Sequence, residues 1–269
     1  MRRPAPLRRS RRAALQAADV PTWSGPRAVS HDPEAMRFQR APAFMPKGRR
    51  VYAIGDIHGS LAQLRRLHAA VKEDLAARPV PMPLVVHLGD YIDLGPDSAG
   101  VIDHLLAGEP GVRTVNLLGD HERMLLDALD GDKAAATDWL HGGGRASLTS
   151  WGLDPDLPRE AWAQAIPDRH VAFMRNLERT HADGGYLFVH AGIRPDVPLD
   201  RQSLDDLVTI RQPFLWTERD FGVVVVHGHS AGPEPVVAPN RIGLDTGAGN
   251  GGRLTCAVLE EDYLGLLAV

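Results

Sequence analysis

Gly55-Asp56-Ile57-His58-Gly59, Gly89-Asp90-Tyr91-Ile92-Asp93 and Gly119-Asp120-His121-Glu122 are three blocks of one kind, each closing a short β-rich run. The runs before them cover residues 50–55, 84–89 and 112–118, and four more follow at 186–190, 223–227, 241–244 and 254–259. Between the first two blocks Leu61, Leu64, Leu67, Val71 and Leu75 recur every three or four residues, which predicts an amphipathic helix; Val101, Leu105 and Leu106 predict another. Asp56 and Asp90 are 34 residues apart and Asp90 and Asp120 are 30 apart, about one βαβ unit each. Parallel strands so connected lie side by side and bring the three carboxylates to one sheet edge. Strands alternate with helices early and dominate late, so the expected fold is an α/β core finished by antiparallel strands.

Two later blocks, His190-Ala191-Gly192 and Gly228-His229-Ser230, also close β-rich runs. Ligands of open α/β sheets bind at the carboxyl ends of the strands. Mixed carboxylate and imidazole donors suit manganese, iron or zinc rather than calcium, which prefers oxygen alone. Three carboxylates and at least three imidazoles exceed one tetrahedral shell, so two cations sharing a carboxylate are expected, about 3.5–4 Å apart. A lone Gly-Asp is an ordinary turn, and a lone histidine is usually structural; the reading rests on five blocks at strand ends. His31, His68, His87, His104, His141, His170 and His181 have no partner motif and are left unassigned, while His227 either supports His229 or is structural.

Size and composition narrow the class. A chain of 269 residues, 43% hydrophobic and 24% charged, can bury the core of one large domain. A formal net charge of −4 argues against a general nucleic-acid binder. One cysteine, Cys256, cannot form an internal disulfide and is expected to be a small core residue. No apolar run reaches the roughly 20 residues that cross a bilayer. Residues 1–12 hold six arginines and no acid, with no apolar stretch after them, so a cytoplasmic protein is expected. Residues 1–46 read as a basic Arg/Pro-rich disordered tail, and residues 47–269 as the catalytic domain, with a Trp-bearing helical insertion at about 132–181 lying over the site.

The blocks resemble the phosphoprotein phosphatase branch of the calcineurin-like metallophosphoesterases, in which GDxHG, GDxxDRG, GNHE, HAG and GHT follow in this order. The resemblance runs from about residue 51 to 259 and implies a β-sandwich flanked by helices, with two divalent or trivalent metal ions, manganese first, iron or zinc otherwise. By position, Asp56 and His58 would bind one metal, Asp90 would bridge, and Asp120, His190 and His229 would bind the other. Hydroxide generated at the pair would attack phosphorus while His121, oriented by Asp93, protonates the leaving oxygen; a neighbouring carboxylate keeps an imidazole charged. Glu122 would support the ligands. Arg211 looks like the arginine that grips phosphate, with Arg194 and Arg219 as lesser candidates. A phosphorylated protein or small phosphoester is the implied partner, with bacterial-type Ser/Thr phosphatase activity as the first expectation.

Two positions depart from that pattern. Leu94 stands where the family has arginine, and Asp120 where it has asparagine, which makes the site more negative by two formal charges. A monoester dianion should bind less well there, which opens readings as a phosphodiesterase or dinucleoside polyphosphate hydrolase. A catalytically silent module that recognises phosphorylated partners is the reading from another class. Retention of His121 and Asp93 speaks against it.

Overall fold

The computed structural model describes residues 36–108 and 111–269. β2 (Arg49–Ile54), α1 (Leu61–Ala77), β3 (Met82–His87), α2 (Ser98–Ala107) and β4 (Arg113–Asn116) form two consecutive parallel units. β1 (Arg37–Arg40), β10 (Thr255–Glu260) and β11 (Tyr263–Ala268) complete a six-stranded sheet in the order β1-β11-β10-β2-β3-β4. The second sheet has the order β5-β6-β7-β9-β8, from β5 (Thr180–Asp183), β6 (Tyr186–Val189), β7 (Val224–His227), β8 (Val236–Val237) and β9 (Arg241–Gly243). In it β6, β7 and β9 run parallel, and β5 and β8 pair antiparallel at the edges.

Alternation along the strands sorts the core into three layers. Val51, Ala53, Leu84 and Val86 of one sheet meet Phe188, Val224, Val226 and Ile242 of the other, so the sheets pack face to face. Tyr52, Ile54, Val85 and Cys256 point the opposite way, under α1 and α2 and under α3 (Asp120–Leu129). Leu187, Val189 and Val225 are covered by α8 (Leu204–Thr209). With both faces covered, these strands read as continuous apolar runs rather than alternating ones. The fold is thus the expected α/β sandwich flanked by helices. Cys256 lies fully buried in β10, where burial pushes its thiol pKa up, as suits a core residue. Among the described residues no helix is long and apolar enough to cross a membrane.

Residues 133–175 form α4 (Lys133–Trp139), α5 (Arg145–Ser150), α6 (Arg159–Ala165) and α7 (Asp168–Arg175). Trp139, Leu148, Trp162 and Met174 join the same core as α1 and α2. Four of the histidines without a motif are structural. Nδ1 of His87 donates to Asn116 Oδ1 at 2.8 Å, and imidazole links of 2.9 and 3.0 Å continue the chain to His68 and His104. Burial and His68 push His87 down to about 3, so its ring stays neutral. His170 ties Trp151 to Asp103.

The expected boundary at residue 46 needs correction, because β1 lies inside the stretch read as tail; residues 1–35 lie outside the described residues. Four residues, Arg37 to Arg40, carry no apolar alternation, and their pairing comes from the open edge of β11. Gly265 makes room for them: a Cβ there would fall 2.8 Å from Met36 Sδ and 3.2 Å from the Phe38 ring. The Arg78 guanidinium covers that ring at 5.2 Å. Gly265→Val should therefore displace β1 and lower stability by about 1–3 kcal/mol in urea denaturation. An unchanged midpoint would mean that β1 adds nothing to the fold.

Candidate metal centre

Every block sits at the carboxyl end of a parallel strand, and the two sheets bring all five to one edge. β2 delivers Asp56 and His58, β3 delivers Asp90 and Asp93, and the link from β4 to α3 delivers Asp120 and His121. β6 and β7 of the second sheet deliver His190 and His229. The turns are tight. Among the described residues six non-glycine residues have left-handed φ, and five of them, His58, Asp90, Asp93, Leu94 and His229, lie here. Such backbone costs about 1–3 kcal/mol per residue and persists where the surroundings fix it. The glycines before the ligands serve close approach. A Cβ on Gly119 would fall 2.1 Å from Asp90 Oδ1, and one on Gly228 would fall 1.8 Å from Asp56 Oδ1.

Asp90 stands between two groups. Its Oδ1 lies 3.4 Å from His190 Nε2 and its Oδ2 lies 3.4 Å from His58 Nε2. Asp120 Oδ1 lies 2.9 Å from His190 Nε2 and 3.0 Å from His229 Nδ1. One ligand atom each from Asp90, Asp120, His190 and His229 falls within 4.8 Å of the others, and the same holds for His58, Asp90 and His121. Asp56 adjoins both groups: Oδ2 accepts the His229 backbone N–H at 2.8 Å, while buried Oδ1 has no hydrogen-bond partner.

This donor set fits cations. His58 Nδ1 donates to the Ile92 carbonyl at 2.9 Å and His190 Nδ1 to the Leu88 carbonyl at 2.8 Å, so in each ring Nε2 is the nitrogen left to face the carboxylates. Acceptors then face acceptors, and only a cation or an added proton reconciles them. His190 shows the second remedy: burial opposes its charge, but Asp90 and Asp120 raise its pKa well above the ordinary value. Burial and Asp245 push Asp56 up, whereas His190 and His121 hold Asp90 well below its usual range despite burial.

Glu122 is a clamp rather than a ligand. Its carboxylate accepts N–H groups of Asp90, Tyr91, Ile92 and Gly119 at 2.7–3.2 Å, which fixes the β3 loop against α3. Burial and Asp90 push its pKa up to about 8, although His121 and the Ile92 N–H pull the other way. Asp93 Oδ2 accepts from His121 Nδ1 at 2.7 Å. Burial disfavours the imidazolium, yet Asp90 and Asp93 push His121 up to about 10. Arg211 donates from Nη2 to the His229 carbonyl at 3.2 Å and pairs with no carboxylate among the described residues. Arg194 and Arg219 are engaged by Asp206 and Asp196 on the surface. His227 donates to the Gly228 carbonyl, and burial lowers its pKa to about 4; it packs edge-on against Phe214 and steadies the turn.

Leu94, 37% exposed, forms a wall between the Gly143 and Gly249 backbones. Three residues at the site escaped the sequence reading. Trp139 and Ser147 reach Asp93 from the inserted helices. Asp245, buried just past the end of β9, follows the same strand-end rule as the five blocks and was legible by it.

The symmetrical bis(5'-nucleosyl)-tetraphosphatase of Methylococcus capsulatus is 29% identical over 145 residues, 54% of this chain and 44% of that protein. The chain thus spans less than half the length of that relative. Serine/threonine-protein phosphatase 1 of Salmonella typhimurium is 28% identical over 223 residues, 79% of this chain and 93% of that protein. A crystal structure described as a candidate diadenosine tetraphosphatase superposes with a TM-score of 0.59 at 26% identity, covering 81% of this chain and 93% of its own. Residues 49–255 match the family model of calcineurin-like phosphoesterases, and the chain belongs to that family.

Proposed function

We propose that the chain is a two-metal phosphoester hydrolase in which Asp56, His58 and Asp90 hold one cation and Asp90, Asp120, His190 and His229 hold the other. The observation that carries this reading is Asp90, whose two oxygens face different imidazoles. Manganese is the first expectation for the pair, since the donors are nitrogen and oxygen without thiolate. When bound, such a pair activates water and draws charge off the phosphoryl oxygens.

The chain's own groups supply the rest. Asp93 fixes the Nδ1–H of His121, which leaves Nε2 to give a proton to the leaving oxygen. Arg211, unpaired with acid among the described residues and tied to the His229 carbonyl, has further N–H groups for a phosphoryl oxygen at the rim. Glu122 keeps the Asp90 loop in place during turnover. Ser/Thr protein phosphatase activity is the first assignment, on the likeness to the Salmonella enzyme along most of both chains. A less charged ester, such as a diester or dinucleoside polyphosphate, is the second. Leu94 favours it, as an apolar wall stands where a cation would greet a dianion.

Two measurements test these readings. Gly228→Ala should push Asp56 away from its position, lower bound manganese by mass spectrometry, and cut kcat/KM about 10²-fold or more, the usual effect of a ~1 Å misplacement. Full metal content with unchanged turnover would remove Asp56 from the ligand set. The second compares an aryl phosphate monoester with its bis-aryl diester, with and without chelator. Leu94→Arg combined with Asp120→Asn should raise the monoester-to-diester ratio about tenfold or more, because a charge at ~4 Å is worth about 4 kcal/mol at an effective dielectric near 20. A ratio that does not move would make both residues tolerated variations.

A further inference from the structure

Asp93 is completely buried, and three side-chain donors converge on its carboxylate. His121 Nδ1 and Trp139 Nε1 each reach Oδ2 at 2.7 Å, and Ser147 Oγ reaches Oδ1 at 2.5 Å. Only the first belongs to a strand-end block. Trp139 is the last residue of α4 and Ser147 lies in α5, so two of the three come from the inserted helices. The backbone is held as well. The Asp93 N–H points to Ser98 Oγ at 3.0 Å and Ser147 Oγ at 2.8 Å, and the two hydroxyls lie 2.8 Å apart. This grip acts where Asp93 and Leu94 have φ of 74° and 63°, a conformation the chain does not keep unaided.

Trp139 is itself fixed. Its ring meets Trp162 edge to face at 5.2 Å, and a Cβ on Gly144 would fall 2.4 Å from it. An indole N–H can only donate, and so can the His121 Nδ1–H that shares the same oxygen. Oδ2 therefore accepts from both, which holds the carboxyl group in one orientation, and that orientation sets the plane of the His121 ring.

We propose that Trp139 and Ser147 are positioning residues for the proton donor: they orient the Asp93 carboxylate so that His121 is aimed at the leaving oxygen. This rests on the hydrolase reading above. In the step concerned the bond from phosphorus to the leaving oxygen breaks, its electron pair stays on that oxygen, and His121 Nε2 delivers its proton there. Oxygen from water forms the new bond to phosphorus and its proton passes to solvent. The inserted helices then act on chemistry through one carboxylate, without touching substrate or cation.

The test uses the manganese-loaded enzyme and a series of aryl esters, of whichever class the wild type turns over, with 2,4-dinitrophenol, 4-nitrophenol and phenol as leaving groups. A good leaving group departs without a proton and a poor one does not. Trp139→Phe keeps the ring against Trp162 and removes only the N–H. It should lower kcat about tenfold or more for the phenyl ester, a part of the 10²–10⁴-fold that general acids contribute. The dinitrophenyl ester and the bound metal should change by less than about twofold. Ser147→Ala should show the same pattern and Ser147→Thr should restore the phenyl ester, which gives a second route if Trp139→Phe fails to fold. An equal loss on all three esters in the soluble variants, or no loss, overturns the inference while leaving the hydrolase reading intact. No turnover of any ester by the wild type overturns both.

Discussion

Gathering Asp56, Asp90 and Asp120 away from bulk water is costly, several kcal/mol per ion before any attraction offsets it, and much of the local structure answers that constraint. The imidazoles of His58 and His190 are turned by backbone carbonyls so that their free nitrogens face the carboxylates. In His190 the facing carboxylates raise the pKa well above the ordinary value. The turns that carry the ligands keep left-handed backbone, and neighbouring glycines yield the volume that the next ligand fills. Glu122 adds a further buried carboxyl group, and its oxygens are taken up by N–H groups of the loop that carries Asp90.

The parts of this arrangement legible in the sequence were those where one local rule sufficed. A glycine and an acid or histidine after a buried strand mark a strand end. That rule gave all six proposed ligands as well as His121 and Asp93, and the structure gathers them at one edge. It would also have given Asp245. What could not be read depends on partners distant in sequence. β1 has no pattern of its own and exists because β11 leaves an edge open. Trp139 and Ser147 look like ordinary helix residues, and their partner Asp93 lies 46 and 54 positions away. Arg211 was set ahead of Arg194 and Arg219 by resemblance alone, and the physical difference, that surface acids engage the other two, shows only in the structure.

The helices of residues 133–175 lie against the candidate site without supplying any of the proposed metal ligands. They share the core of α1 and α2, so they are a built-in part of the domain rather than an appended one. Their reach to Asp93 and the approach of Gly143 to Leu94 place them against both the partner of His121 and the exposed Leu94. Changes in such a segment can alter the setting of both residues while the six proposed ligands stay as they are.

The proposed ligand set is divided between the sheets, with Asp56, His58, Asp90 and Asp120 on one and His190 and His229 on the other. A cation pair seated among them would be a removable cross-link, joining segments from residue 56 to residue 229. Such a site has no counterpart in a partly folded chain, because loop closure over that span comes only after the two sheets dock. Metal binding would then draw its free energy from the finished sandwich and return it as resistance to unfolding that grows with free metal concentration. In a cell short of such a metal, the first loss would be the lifetime of the folded chain as much as its turnover.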